Sequence, residues 1–292
     1  MNQQDAFIGS LVADAVAMPV HWYYNPQQLK KDYGVITGFQ APKNPHPDAK
    51  GQVHYHQFLK AGENTLNFRL ARLLADQVKE TGRYDAEVWL VKYVNFLQST
   101  GLHNDSYMEG SHRSFLENYQ KGKNLLACGT ANPDIGGLVP VPALFWALGP
   151  TNPELRPTVQ KHVALTHKDE KLLKAADDLV QLLSALAQGQ NLRAAILKHG
   201  SAWVTEAQLN EWNEKPDTEV IGLEKTLSPA CPIAGSFPAS LFLAWKYSAD
   251  FSKAICANAQ VGGDNCHRGA VVGSLLGISQ GISNEWLIGL AT

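Results

Sequence analysis

The densest group of chemically capable side chains lies in VGGDNCHRG, Val261 to Gly269. Asp264, Cys266 and His267 bring carboxylate, thiol and imidazole together, and all three are potential metal donors. Asp264, His267 and Arg268 stand three and four residues apart, so a helix puts them on a shared face. Gly262 and Gly263 make a tight turn that feeds such a helix and sets Asp264 near its N-terminus. There the carboxylate either caps free amides or holds a cation or polar substrate group. A cap plus a surface salt bridge explains the string equally well. Asp14, in the apolar run Ile8 to Val20, is costly unless paired, hydrogen-bonded or bound to a cation. His21 follows Pro19 and leads into Trp22, Tyr23 and Tyr24. In AGENTLNFRLARLLA, Glu63, Asn64 and Thr65 open an apolar helix, where the dipole favours a capping cluster. His54 and His56 flank Tyr55, which on an extended segment puts both on one side.

The elements that position these groups read as helices. Leu66, Leu70, Leu73, Leu74 and Val78 form one stripe in Leu66 to Lys79. Lys168 to Ala187 does the same with Leu172, Leu173, Ala176, Leu179, Val180 and Leu183, and Thr166 reads as its N-cap. Further helices are expected near Phe7 to Ala17, Ala86 to Gln98, Pro238 to Tyr247, Phe251 to Gln260 and Cys266 to Ser279. Strand alternation does not recur, so the fold class is all-α. Pro and Gly concentrate in three loops: Gly34 to Gly51, Ala131 to Pro142 and Pro229 to Pro238. None has linker composition, which predicts a single domain over 1–292. Gly269, Gly273 and Gly277 line one side of the last long helix, and Gly9, Ala13 and Ala17 one side of the first. Glycine inside a helix costs about 0.5–1 kcal/mol relative to alanine, so these faces are expected to pack closely together.

At 45% hydrophobic and 18% charged, the 292 residues can fill a sizeable core. The net charge of −2 leaves no electrostatic footprint for nucleic acid or an anionic membrane. No apolar run approaches the ~20 residues of a bilayer span, and the start lacks signal-peptide features, so a cytoplasmic protein is expected. Cys128, Cys231 and Cys256 read as small buried hydrophobes; without a CxxC pair, no cysteine-only zinc site exists.

In chain order these strings resemble the ADP-ribosylglycohydrolase family. They are ADAVAMPVH (Ala13 to His21), GENT (Gly62 to Thr65), PDIGGLVPVPAL (Pro133 to Leu144), Thr166-His167 and GGDNCHRGAVVGSLLG (Gly262 to Gly277). They are most similar to the branch of J-type crystallins and selenoprotein J. The resemblance implies a compact all-α fold, two magnesium ions in a cleft and cleavage of the glycosidic bond that links ADP-ribose to its acceptor. By that correspondence Asp264 matches the first late metal aspartate, while Cys266 and His267 replace its partners. Glu63 and Asn64 stand at the early aspartates, Thr65 keeps the threonine, His21 replaces the N-terminal glutamate, and Asp14 is retained. The implied metal set is thus Glu63, Asn64, Thr65, Asp264, Cys266 and His267, with Glu63, Asp264 and His21 as catalytic groups. Asp14, Asp134, Gly136, Gly137, His167 and Arg268 are the implied substrate contacts, Gly136 and Gly137 lying in the diphosphate-cradling loop. Thiolate and imidazole are poor magnesium ligands, so the surviving donors suit Zn²⁺, Mn²⁺ or Fe²⁺ better. No organic cofactor is expected. The substrate is ADP-ribosylated or another small molecule, and the oligomeric state is left open. The alternative is a crystallin-like protein that keeps the fold without catalysis.

Overall fold

The computed structural model describes residues 2–291, which form fifteen α-helices, four short 3₁₀ helices and no β-sheet, only three isolated bridges. The apolar stripe of Leu66–Thr81 is buried, and Gly82 ends that helix in the left-handed region at φ 70°. Ala86–Gln98 begins at Asp85, whose side chain accepts from the Glu87 and Val88 amides.

Asn265–Gln280 is the centre of the molecule. Every residue from Asn265 to Ile278 is buried, as expected of a helix surrounded on all sides. The N-terminal helix Gln4–Ala17 lies along its glycine face, while Glu170–Ala187, Ile233–Lys246 and Phe251–Val261 pack around it. The small-residue faces meet as expected. A Cβ on Gly273 would stand 2.2 Å from the Gly9 carbonyl oxygen, and one on Gly277 would stand 2.2 Å from that of Asp5. Only glycine permits this approach, and it brings the first and last long helices, with their polar residues, side by side.

Some boundaries differ from expectation. Asp169, not Thr166, caps Glu170–Ala187, because its side chain reaches the Leu172 amide while the Thr166 hydroxyl faces His167. Ile233–Lys246 starts five residues before Pro238 and carries that proline inside its first turns, where few intrahelical bonds are lost. The Ala131 to Pro142 loop contains a 3₁₀ turn, Ile135–Leu138, and the start of helix Pro140–Leu148, with proline at its first position. Helices Gly110–Gln120, Leu155–Val163 and Leu192–His199 were not anticipated; each is short and carries a narrow apolar stripe. Among the described residues, no helix is long and apolar enough to cross a membrane.

Candidate functional site

The double-glycine turn is shaped by close backbone approach. Gly262 and Gly263 have φ of 72° and 63°, and a Cβ on either would stand about 2 Å from the Tyr23 or Pro229 carbonyl oxygen. Trp22 N–H donates to Gly263 O and Gly263 N–H to Tyr23 O, both at 2.7 Å, which ties the chain after His21 to the chain before Asp264. Trp22 itself sits at φ 61°, a costly conformation for a bulky residue, held by these bonds. Asp264 occupies the N-cap position of Asn265–Gln280, yet its side chain caps no amide. It turns into the molecule instead.

A buried run of hydrogen bonds results. Asp105 Oδ1 lies 2.7 Å from His56 Nδ1, His56 Nε2 lies 2.7 Å from His21 Nδ1, and His21 Nε2 lies 3.0 Å from Asp264 Oδ1. With both carboxylates ionised, three N–H protons are needed on two rings, so one ring is an imidazolium. Burial first, then the neighbouring His56 and His267, lowers His21 to about 3 despite its bond to Asp264. His21 is therefore held neutral. Asp105 is fixed further by the Leu66 and Tyr107 amides. Trp22 stacks over His21 at 3.8 Å between ring centroids, with Tyr55 and Tyr107 edge-on to it.

His267 closes the other end of the run. Its Nδ1 is 2.8 Å from Asp264 Oδ1, but its N–H direction misses that oxygen, so the contact is an ion pair without a hydrogen bond. Burial opposes charge on this ring; Asp264, then Glu109 and Asp14, outweigh it and raise His267 to about 9. Burial likewise opposes ionisation of Asp264, and His267 with His21 holds its carboxyl well below the usual range. Asp264 Oδ2 is buried and makes no hydrogen bond of good geometry, with the half-buried Cys231 thiol close to the carboxylate.

A second polar group adjoins the first. Glu109 accepts from Asn67 Nδ2 at 2.5 Å and from His167 Nε2 at 3.1 Å, while Asn67 Oδ1 faces His112 and His112 faces Tyr93. Burial disfavours charge on Glu109, but His167, His267 and His112 keep it ionised. Gly136 and Gly137 leave room for these side chains: a Cβ on Gly136 would lie 2.5 Å from Glu109 Oε2, and one on Gly137 would lie 2.9 Å from the His167 ring. The two glycines thus admit a carboxylate and an imidazole, which is not the anion cradle that the resemblance implies. Asp134 is half-buried beside them, its pKa raised by burial and by Glu109 and Asp264.

The structure brings together His21, Asp264, His267, Cys266 and Asp14 of the expected residues, with His167 in the adjoining group. Glu63 does not join them; it is partly exposed and binds Arg69, the Lys60 amide and Asn104. Asn64 and Thr65 donate three hydrogen bonds to the Asp14 carboxylate, and Arg72 takes the Asn64 side-chain oxygen. Arg268 is spent as well, donating to the Pro229, Asn258 and Gly262 carbonyls and to Asn258 Oδ1, so it pins two turns and is not free for a substrate. Cys266 packs against the Asp14 carbonyl, and burial with the two nearby aspartates pushes its thiol pKa far up. Asp105, Glu109 and His112 were missed, and His56 stood out only as one of a histidine pair flanking Tyr55. The spacing of Glu109 and His112 by three residues was an available signal; the contacts of His56 cross between loops and left none.

This donor set does not suit the implied pair of magnesium ions. Magnesium needs several oxygen ligands in octahedral array. Here both Asp14 oxygens and the Asn64 oxygen are filled by protein donors, and two nitrogens crowd Asp264.

The ADP-ribosylglycohydrolase family profile matches residues 3–291. A solved structure described as an ADP-ribosylglycohydrolase-related protein complex is similar in fold, with a TM-score of 0.67 at 19% identity, covering 99% of this chain and 93% of that one. No curated protein matches. With its helices wrapped around the glycine-faced one and the family profile spanning nearly the whole chain, the protein belongs to the ADP-ribosylglycohydrolase family.

Proposed function

We propose that the chain hydrolyses an N- or O-glycosidic bond in ADP-ribose or a related nucleotide-like substrate, using acid–base side chains at the Asp264 cluster. One observation carries this: a buried carboxylate oxygen without a partner, Asp264 Oδ2, stands beside a charged imidazole, His267. Asp264 takes the proton from water as the water attacks the anomeric carbon. His267 gives its proton to the departing nitrogen or oxygen. Each such group is worth about 10²–10⁴ in rate. His21 orients the carboxylate, and His56 with Asp105 fixes the His21 ring. Asp134 at the rim suits a cationic or hydrogen-donating part of the acceptor, whereas Glu109 and Asp134 together repel a diphosphate placed against Gly136.

The likeness of ADAVAMPVHW and GGDNCHRG to the crystallin branch supports a second reading, a binding or structural protein without turnover. The near-complete burial of His21, His56 and Asp264 favours it. Incubation with ADP-ribosylated arginine and serine peptides, with and without divalent ions, separates the two. Release of ADP-ribose that falls about 10²-fold or more in Asp264→Asn is expected. Ligand-induced stabilisation without release moves the assignment to the binder. No release and no stabilisation under any of these conditions overturns the hydrolase reading.

A further inference from the structure

We infer that His21, Asp264 and His267 form a site for a single borderline-soft divalent ion of the zinc class, in place of a hard-metal pair. One ligand atom from each residue lies within 4.8 Å of the other two, and all three residues are buried. Within these residues, Asp264 Oδ2 and His267 Nδ1 have no hydrogen-bond partner. His267 Nδ1 and Asp264 Oδ1 are 2.8 Å apart yet do not point at each other, the relation of two donors facing a common third atom. Zinc bonds of 2.0–2.2 Å at tetrahedral angles separate ligand atoms by roughly 3.4 Å. The observed 2.8 and 3.0 Å reach that by widening about half an ångström each. Three protein ligands with a fourth position left for water or substrate is a common zinc arrangement, and imidazole with one carboxylate is a fitting donor set.

The surroundings fit as well. The remaining nitrogen of His21 is held by His56, and His56 by Asp105, the kind of outer contact that fixes a ligating ring. On entry the ion displaces the proton from His267, so a cation replaces a cation. A competing trio, His21, His56 and Cys266, also has ligand atoms within 4.8 Å. There the two ring nitrogens face each other in a 2.7 Å hydrogen bond and the thiol packs against a carbonyl, whereas in the favoured trio the one bond to be given up is between two of the ligands themselves, His21 Nε2 and Asp264 Oδ1.

The site goes beyond the hydrolase reading and is tested by binding alone. Full-length protein, purified without a histidine tag and stripped with a chelator, is titrated with Co²⁺ and Zn²⁺, following visible absorption and thermal unfolding. Expected are one Co²⁺ per chain with a four- or five-coordinate spectrum lacking thiolate charge transfer, and a raised Tm with either ion but not with Mg²⁺. Binding survives in Cys266→Ser and weakens at least about 100-fold in His267→Gln. Failure of the wild-type chain to bind either ion saturably overturns the site. A thiolate band, or loss of binding in Cys266→Ser, overturns its placement even if His267→Gln fails to fold.

Discussion

Gly273→Ala tests the contact on which the placement of the whole site depends. The added Cβ would stand 2.2 Å from the Gly9 carbonyl oxygen and 2.7 Å from the Gly9 carbonyl carbon and the Ala13 Cβ. Ordinary contact begins near 3.4 Å, so Gln4–Ala17 and Asn265–Gln280 must separate by about 1 Å. Two of those three atoms belong to helix backbone, and no flexible side chain can yield. Overpacking of this kind costs about 1–3 kcal/mol, at the upper end when backbone must move. Alanine returns up to about 1 kcal/mol of helix preference, leaving a net loss of about 2 kcal/mol. For a chain of 292 residues that lowers Tm by about 3 °C. Gly38→Ala is the control, since its Cβ meets nothing within 4 Å and its φ is ordinary; it is expected to leave Tm unchanged or slightly raised. Thermal unfolding by circular dichroism reads both. A Gly273→Ala chain melting within 1 °C of wild type would refute the packing argument, and with it the reason Asp14 and Asp264 are held together.

Gly136→Ala places a methyl on the Glu109 carboxylate and displaces it from His167, so any ADP-ribose release should fall at least about 10-fold while the far-ultraviolet spectrum stays native; unchanged release would separate Glu109 from the chemistry. At low pH, buried His54, His112 and His162, lowered by burial to about 3, 4 and 3, stay neutral in the fold while the unfolded chain takes up protons below about 6.5. Stability should drop as pH falls from 6.5 toward 4, by up to about 4 kcal/mol per unit for three such groups, and a flat urea midpoint from pH 7 to 5 would contradict it. At high pH the sign reverses. His267, raised to about 9, lends stability that is complete below about 6.5 and lost as pH rises through 9, and Asp264→Asn should abolish that alkaline dependence.

The helices were legible where a wide apolar stripe repeats, as in Leu66–Thr81, and the close approach of the chain's two ends was legible from glycines spaced by four. Asp14, His21, Asp264 and His267 stood out because polar groups in apolar or glycine-turn surroundings need a reason to be there. Glu63 misled because correspondence by position says nothing of direction: it sits on the turn before Asn64 and faces Arg69, while Asn64 faces Asp14. Arg268 shares a helix turn with Asp264 and still works elsewhere, since three carbonyls of neighbouring turns converge on its guanidinium. His56 and Asp105 are 49 residues apart on loops without periodicity, and only tertiary structure brings them together.

The charge balance of the site explains how a family built around divalent ions can keep its fold with this sequence. Buried carboxylates are tolerated only when cations or hydrogen-bond donors compensate them. In this chain, the His56 ring bonds Asp105, the charged His267 stands against Asp264, amide and hydroxyl donors fill Asp14, and Arg72 lies behind Asn64. Having His21, Asn64 and Cys266 where the resemblance implies acids therefore removes the need for hard cations without leaving an uncompensated charge. What remains without a hydrogen-bond partner is one carboxylate oxygen and one imidazole nitrogen of two residues in contact, Asp264 Oδ2 and His267 Nδ1. The proposed hydrolysis and the proposed ion binding draw on the same two residues, so a bound ion excludes the protonated His267 that the hydrolysis uses. Asp264→Asn should therefore remove both activities together, whereas Cys266→Ser should remove neither.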